Sequence, residues 1–135
     1  MTLGAIKYHV MYQTNIDLDD IGGYQPHLID YINDAYDRLI NVWDKQHTRF
    51  ANVDYPRLGS DTDTPLTPEW THRYLADWAT WLVYRNGNPQ KQSRGYAYRE
   101  SFERMLAMVA DEGGANGLDE DGNRKLYKHF INIPR

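Results

Sequence analysis

The sequence predicts a mainly α protein, a small helical bundle of three main helices plus a short N-terminal helix. Three observations carry that prediction. Apolar residues recur with a helical period over residues 26–44, 67–85 and 93–111. Proline and glycine punctuate the ends of these stretches, with Pro26 and Pro68 at starts and Gly87 and Gly113 at stops. Three of the four tryptophans, Trp70, Trp78 and Trp81, fall in the middle stretch, so the buried aromatic area should converge there.

Taken in order, Met1–Gln13 alternates Ile6, Tyr8, Val10 and Tyr12 with Lys7, His9 and Gln13, which favours a short strand or an extended arm. Thr14 or Asn15 is placed to cap a short helix over Asp17–Ile21, with Gly22-Gly23 to end it. The next helix runs from Pro26 to about Asp44. Leu28, Ile29, Ile32, Ala35, Tyr36, Leu39, Ile40 and Trp43 form its apolar stripe, and Asp30, Asn33, Asp34, Asp37, Arg38 and Asn41 the opposite side. Residues 44–66 have no helical period and contain Pro56, Gly59, Pro65 and a polar run over Ser60–Thr64. A connection this long is unusual in a small domain, and such loops are usually functional or disordered. Phe50, Val53, Tyr55 and Leu58 imply that part of it packs, a short hairpin being one way.

Thr67 and Pro68 then open the central helix, Thr67 as cap and Pro68 at the first helical position, with Glu69 complementing the dipole. Trp70, Tyr74, Leu75, Trp78, Ala79, Trp81 and Leu82 cover about half its circumference, and the other half is hardly charged. Such a helix is expected to be packed on several sides. Asn86-Gly87-Asn88-Pro89 stops it. A third helix follows from about Ser93 to Asp111 with the narrower stripe Tyr98, Phe102, Met105, Leu106 and Val109, which suits a flank of the bundle. Residues 115–135 form an extended C-terminal tail carrying Leu126, Tyr127, Phe130, Ile131 and Ile133, a load of apolar side chains that must dock on something.

The 135 residues suit one domain: an N-terminal arm and short helix over 1–24, the bundle over 25–114, and the tail. There is no cysteine, which excludes disulfides, thiolate metal sites and a cysteine nucleophile. A net charge of −4 argues against a general nucleic-acid binder. Eleven tyrosines beside a mean hydropathy of −0.77 suit a chain that spends aromatic area at interfaces as well as in its core. No signal peptide or membrane span is expected, so the reading is a soluble, intracellular protein.

Chemistry is sparse. Asp119, Asp121 and Asn123 begin a calcium-loop pattern, but Arg124 stands where glycine is required and Phe130 where the closing carboxylate belongs. An acidic turn is the better reading, and no metal or cofactor is expected. His9, His27, His47, His72 and His129 have no ligand spacing, and no nucleophile elbow or phosphate loop is present. His72 reads as a structural residue or an interface donor. Asp30, Asp34 and Asp37 share a helical face and read as a solvated acidic surface, with Asp34 supported by Arg38 four residues on. No catalytic residue is assigned.

The helix order, with the segments HLIDYINDAYDRLINVW, LADWATWLVYR and YRESFERMLAMVADEGG, resembles the small head–tail connector, or adaptor, proteins of tailed bacteriophages. The resemblance covers about residues 14 to 114, and the N-terminal arm and the tail have no counterpart in it. It implies a structural virion protein at the neck, made in the host cytoplasm and assembled as a ring, commonly twelvefold, beneath the portal. It also implies three partners: the portal protein, neighbouring copies, and a downstream neck or tail component. DNA would pass through the channel without specific binding. On that reading the expected interface residues are Arg49, Phe50, Tyr55, Arg57 and Leu58 in the long loop, and Lys125, Leu126, Tyr127, Phe130, Ile131 and Ile133 in the tail. The competing classes are a monomeric protein-binding module, another neck or tail-completion component, and a small enzyme using His72, Asp77 or Tyr84.

Overall fold

Helical periodicity becomes packing in a computed structural model of the chain, which describes residues 1–15, 21–47, 55–86 and 89–113. Four helices account for most of them: α1 (Leu3–Thr14), α2 (Ile21–His47), α3 (Glu69–Arg85) and α4 (Pro89–Gly113). No strand occurs among the described residues. The mainly α bundle expected from the sequence is therefore what forms. α3 lies at its centre and packs against α1, α2 and α4.

α1 corrects the sequence reading of a strand or arm. Leu3, Ile6, Lys7, Val10 and Met11 are its buried residues, the 3–4 spacing of a helix. Tyr8 and Tyr12, which made the segment look alternating, are 63% and 84% exposed. Thr2 caps the start by accepting a hydrogen bond from the Ala5 amide at 3.2 Å. Asn15, expected to open the next helix, instead closes this one in the left-handed region at φ 55°, its amide bonding back to the Met11 and Tyr12 carbonyls. The proposed helix over Asp17–Ile21 falls mostly outside the described residues, and Ile21 itself begins α2.

α2 also differs at its start. It runs through Gly22-Gly23 and Pro26, where the sequence predicts a stop and a fresh start. Glycine in a helix costs about 1 kcal/mol each, a penalty but not a prohibition, and proline near a helix start removes few intrahelical bonds. Further along, the predicted stripe holds: Leu28, Ile32, Ala35, Tyr36, Leu39 and Trp43 are buried.

The connection from Tyr55 to Pro68 forms no strand and is tied down at both flanks. Leu58 is buried, and Asn33 of α2 brackets it, accepting from the Leu58 amide at 2.9 Å and donating to its carbonyl at 2.8 Å. The Leu66 amide donates to the Tyr36 hydroxyl at 2.8 Å. The turn at Gly59–Asp63 is held by the Asp63 carboxylate, which accepts from the Gly59 and Ser60 amides at 2.8 Å each. It then covers the start of α1. The Leu3 and Gly4 amides, unsatisfied within their own helix, donate to the Asp63 and Asp61 carbonyls at 2.7 and 3.0 Å. Lys7 of α1 pairs with Asp61 at 2.5 Å.

Thr67 does not cap α3; its hydroxyl accepts from Thr71, and Pro68 takes the N-cap position without a side-chain bond. From Thr71 to Leu82 only Arg73 and Tyr74 escape burial. α4 starts at Pro89, four residues earlier than predicted, and its stripe Phe102, Met105 and Val109 is buried. Gly95 permits its close approach to α3: a Cβ there would stand 2.7 Å from the Trp81 ring and 2.8 Å from the Tyr84 Cβ.

Trp78 links three helices. It packs on Phe102 with ring centroids 5.0 Å apart, and its indole donates to Asp34 at 2.7 Å. Trp78→Ala should therefore lower stability by about 3–5 kcal/mol, a large part of what a small domain has. Thermal melts measure it, and a loss below about 1 kcal/mol would be incompatible with this packing.

Candidate functional site

Three clusters of polar residues stand out, two carried into the interior and one at the surface. The first is built on Gln13, at the end of α1. Its amide nitrogen donates to Asp77 at 2.8 Å, its amide oxygen accepts from Thr80 at 2.6 Å, and its backbone carbonyl accepts from Tyr84 at 3.2 Å. The second Asp77 oxygen accepts from Ser101 of α4 at 2.9 Å. Asp77 is thus a buried carboxylate satisfied by α1 and α4 together. Ser101 meets a carboxylate rather than an imidazole, which is not the arrangement that activates a serine nucleophile. Tyr84 and Tyr98 stack beside this cluster at 6.3 Å.

The second cluster surrounds His72, which is almost fully buried. The Met1 ammonium donates to its Nδ1 at 2.8 Å, while Nε2 lies 2.8 Å from the Thr67 carbonyl. An ammonium can only donate and a carbonyl only accept, so this pair of partners selects the neutral ring with its proton on Nε2. Burial holds its pKa below the usual histidine range, and the Met1 ammonium acts in the same direction. Glu69 closes the group by accepting from the Met1 ammonium at 2.8 Å.

The third cluster is on the outer side of α2. Asp34 accepts from Arg38 at 2.9 Å as well as from Trp78, and the Arg38 guanidinium stacks over the Trp78 ring at 4.6 Å. Burial pushes the Asp34 carboxyl up, but the bonds from Arg38 and Trp78 outweigh it and leave its pKa lowered. Asp30 pairs with Arg57. Asp34, Asp37, Arg38, Ile40, Asn41 and Tyr55 line an open depression of about 500 Å³. The expected acidic face is present, with Asp34 and Asp30 each holding an arginine.

Of the expected interface residues, Tyr55 is half-buried and meets Tyr36 edge-on at 6.4 Å, Arg57 is exposed, and Leu58 belongs to the core. Arg49, Phe50, Lys125, Leu126, Tyr127, Phe130, Ile131 and Ile133 lie outside the described residues, as does the acidic turn at Asp119–Asn123. Sequence reasoning passed over Gln13, whose long-range partners leave no local pattern. It also passed over the outward stripe of Tyr8 and Tyr12, whose four-residue spacing was the available signal.

No protein-family model, curated protein or solved structure matches the chain.

Among the described residues no group of three or more histidine and carboxylate side chains is placed to hold a metal ion, and no helix is long and apolar enough to cross a membrane. Two other features stand out among the described residues: interior polar bonds that fix helices against one another, and exposed large apolar side chains. Tyr8, Tyr12, Leu66 and Tyr96 are each more than half exposed, on α1, the connection and α4.

The His72 site makes stability depend on pH with a definite sign. A histidine whose folded pKa lies below its unfolded value of about 6.5 binds a proton more readily when unfolded. Its contribution is complete above that pH and is lost as pH falls towards the folded pKa. The melting temperature should therefore drop between about pH 7 and 5, and His72→Gln should flatten that part of the profile. Parallel profiles for the two proteins would remove His72 as the cause.

Proposed function

We propose that this chain is a structural virion protein of a tailed bacteriophage, one subunit of a ring at the head–tail junction beneath the portal. The observation that carries the reading is the order α2, a proline-containing connection, α3 and α4, which follows the connector-like pattern in the sequence. Two further features support it. The described interior polar groups are engaged in holding helices together. Tyr8 and Tyr12, one turn apart on α1, are exposed aromatic area that a neighbouring subunit would cover.

In this role the ring joins the capsid to the tail and lines part of the DNA channel. Its partners are the portal above, copies of itself on either side, and a neck or tail component below. The tail, with Leu126, Tyr127, Phe130, Ile131 and Ile133 among Arg124, Lys125 and Lys128, supplies apolar anchors of the kind that dominate interfaces, and the basic residues aid orientation.

Removing the protein from an infection should leave full heads and free tails, seen by electron microscopy. Normal particles formed without it would end the proposal. Truncation after Gly117 should leave the melting temperature near that of the full chain and still block joining of heads to tails. A truncated protein that melts far lower, or aggregates, would assign the tail to the fold instead.

A further inference from the structure

The bundle carries exposed tyrosines on two separate flanks. α2 and α3 each touch all the other helices, whereas α1 and α4 do not touch each other, so the α2–α3 pair stands between them. The outer face of α1 is Ala5, Tyr8 and Tyr12, at the three- and four-residue spacing with which one helix seats on another. It carries no charge: Lys7, the one charged residue of α1, is buried and paired with Asp61. On α4 a face of the same spacing holds Tyr96, Glu100, Glu103 and Ala107, all exposed. Its carboxylates are already bonded along the helix, Glu100 to Arg104 at 2.6 Å and Glu103 to Arg99 at 2.8 Å, and Tyr96 stacks on Trp81 at 5.3 Å. The two faces sit at the same height. α1 runs parallel to α3, with Met1 at Glu69 and Gln13 at Asp77 and Thr80. α4 runs antiparallel to it, with Ser101 at Asp77 and Tyr96 at Trp81. Tyr12 is therefore level with Tyr96 across the bundle, and Ala5 and Ala107 both fall beside the first turns of α3.

We propose that copies of this chain associate head to tail, the Ala5–Tyr8–Tyr12 face of one copy's α1 packing on the Tyr96–Ala107 face of the next copy's α4. With the bundles side by side and pointing the same way, these two helices run antiparallel. Charge selects a second copy. The chain carries a net −4, so copies repel in general, but the α1 face is neutral and the four charges of Glu100, Glu103, Arg99 and Arg104 cancel in pairs. The faces are also complementary in shape and chemistry. Ala5 and Ala107 let the helices approach, Tyr12 meets the Tyr96 ring, and a carboxylate bonded to one arginine still accepts from a tyrosine hydroxyl. Because the faces lie on separate flanks, each copy that uses one keeps the other open, and the contact propagates. Equal height makes it close as a ring instead of climbing as a filament. The inference rests on the ring reading above and names the surfaces that meet in it. Three tyrosines bury far less than the about 1,600 Å² of a standard interface, so one contact is weak and closure, which gives every copy two, is what holds.

The chain has no cysteine, so introduced thiols report contacts without background. Full-length Ala5→Cys and Ala107→Cys proteins are mixed at high concentration, oxidised and separated by non-reducing electrophoresis. The mixed dimer should exceed its statistical share of the product, and a chain bearing both cysteines should give a ladder of multimers. Adding Tyr12→Ala to the Ala5→Cys chain should return the mixed dimer to the statistical share. Tyr12 is 84% exposed, so its loss leaves the fold intact, which the melting temperature checks, and Tyr8→Ala repeats the test independently. Ala97→Cys, exposed on another side of α4, should not couple to Ala5→Cys above the statistical share. Statistical mixtures throughout overturn the proposal. So does an excess of Ala5→Cys dimers, which would set α1 against α1 about a two-fold axis. Neither of these results removes the virion reading, which falls only if heads and tails join without the protein.

Discussion

A single constraint organises the molecule: α3 has almost no side that can face water. From Thr71 to Leu82 the residues left partly open are Arg73 and Tyr74, and even there the guanidinium lies over the tyrosine ring. A helix in that position needs cover on every flank, and α1, α2 and α4 supply it. Small residues set how close the cover comes. Ala76 and Ala79 are fully buried on α3, and Gly95 lets the α4 backbone approach Trp81 and Tyr84. The larger Trp78 and Trp81 then fill the spaces that these small residues leave.

Burying α3 carries polar groups inside, and they define the arrangement. Asp77 and Thr80 would be costly if unpaired; Gln13 satisfies both, and this requires the end of α1 to reach the middle of α3. Asn33 does the same between α2 and the connection, its amide matching both backbone groups of Leu58 in the manner of a short strand pair. Apolar packing tolerates sliding of one helix on another more readily than such bonds do. The connection is thus a working part of the fold at Leu58 and at the Gly59–Asp63 turn, where it also satisfies the first amides of α1.

The pattern of legibility follows from these interactions. α2, α3 and α4 could be read because each repeats an apolar stripe over several turns, and most of their buried apolar residues fall on those stripes, although α3 also buries Thr71, His72, Asp77 and Thr80 and α2 buries Asn33 outside them. α1 could not. Its buried set includes Lys7, whose ammonium reaches Asp61, while its exposed positions include Tyr8 and Tyr12, so apolarity and burial part company along it. The helix through Gly22-Gly23 and Pro26 shows propensity overridden, and Thr67 shows a capping residue diverted by the hydroxyl of Thr71. The polar clusters were illegible for another reason. Gln13 lies 64 residues from Asp77 and His72 lies 71 from Met1, separations across which no local period carries information.

What the interior consumes decides where function can lie. His72, Asp77 and Tyr84 are the residues the enzyme alternative would assign to chemistry, yet each has its hydrogen-bonding capacity directed at another helix or at the chain's own backbone. A group so engaged must break a bond that orders the bundle before it can meet a substrate, at a cost of about 1–3 kcal/mol for the partner left unsatisfied. The surface is under no such restriction. Tyr8 and Tyr12 on α1, Leu66 on the connection, and Arg85 and Arg94 at the α3–α4 corner can change partners without disturbing the core. The molecule is thus divided between an interior that fixes geometry and a surface that offers aromatic area and charge, and it is that surface on which the association proposed above would draw.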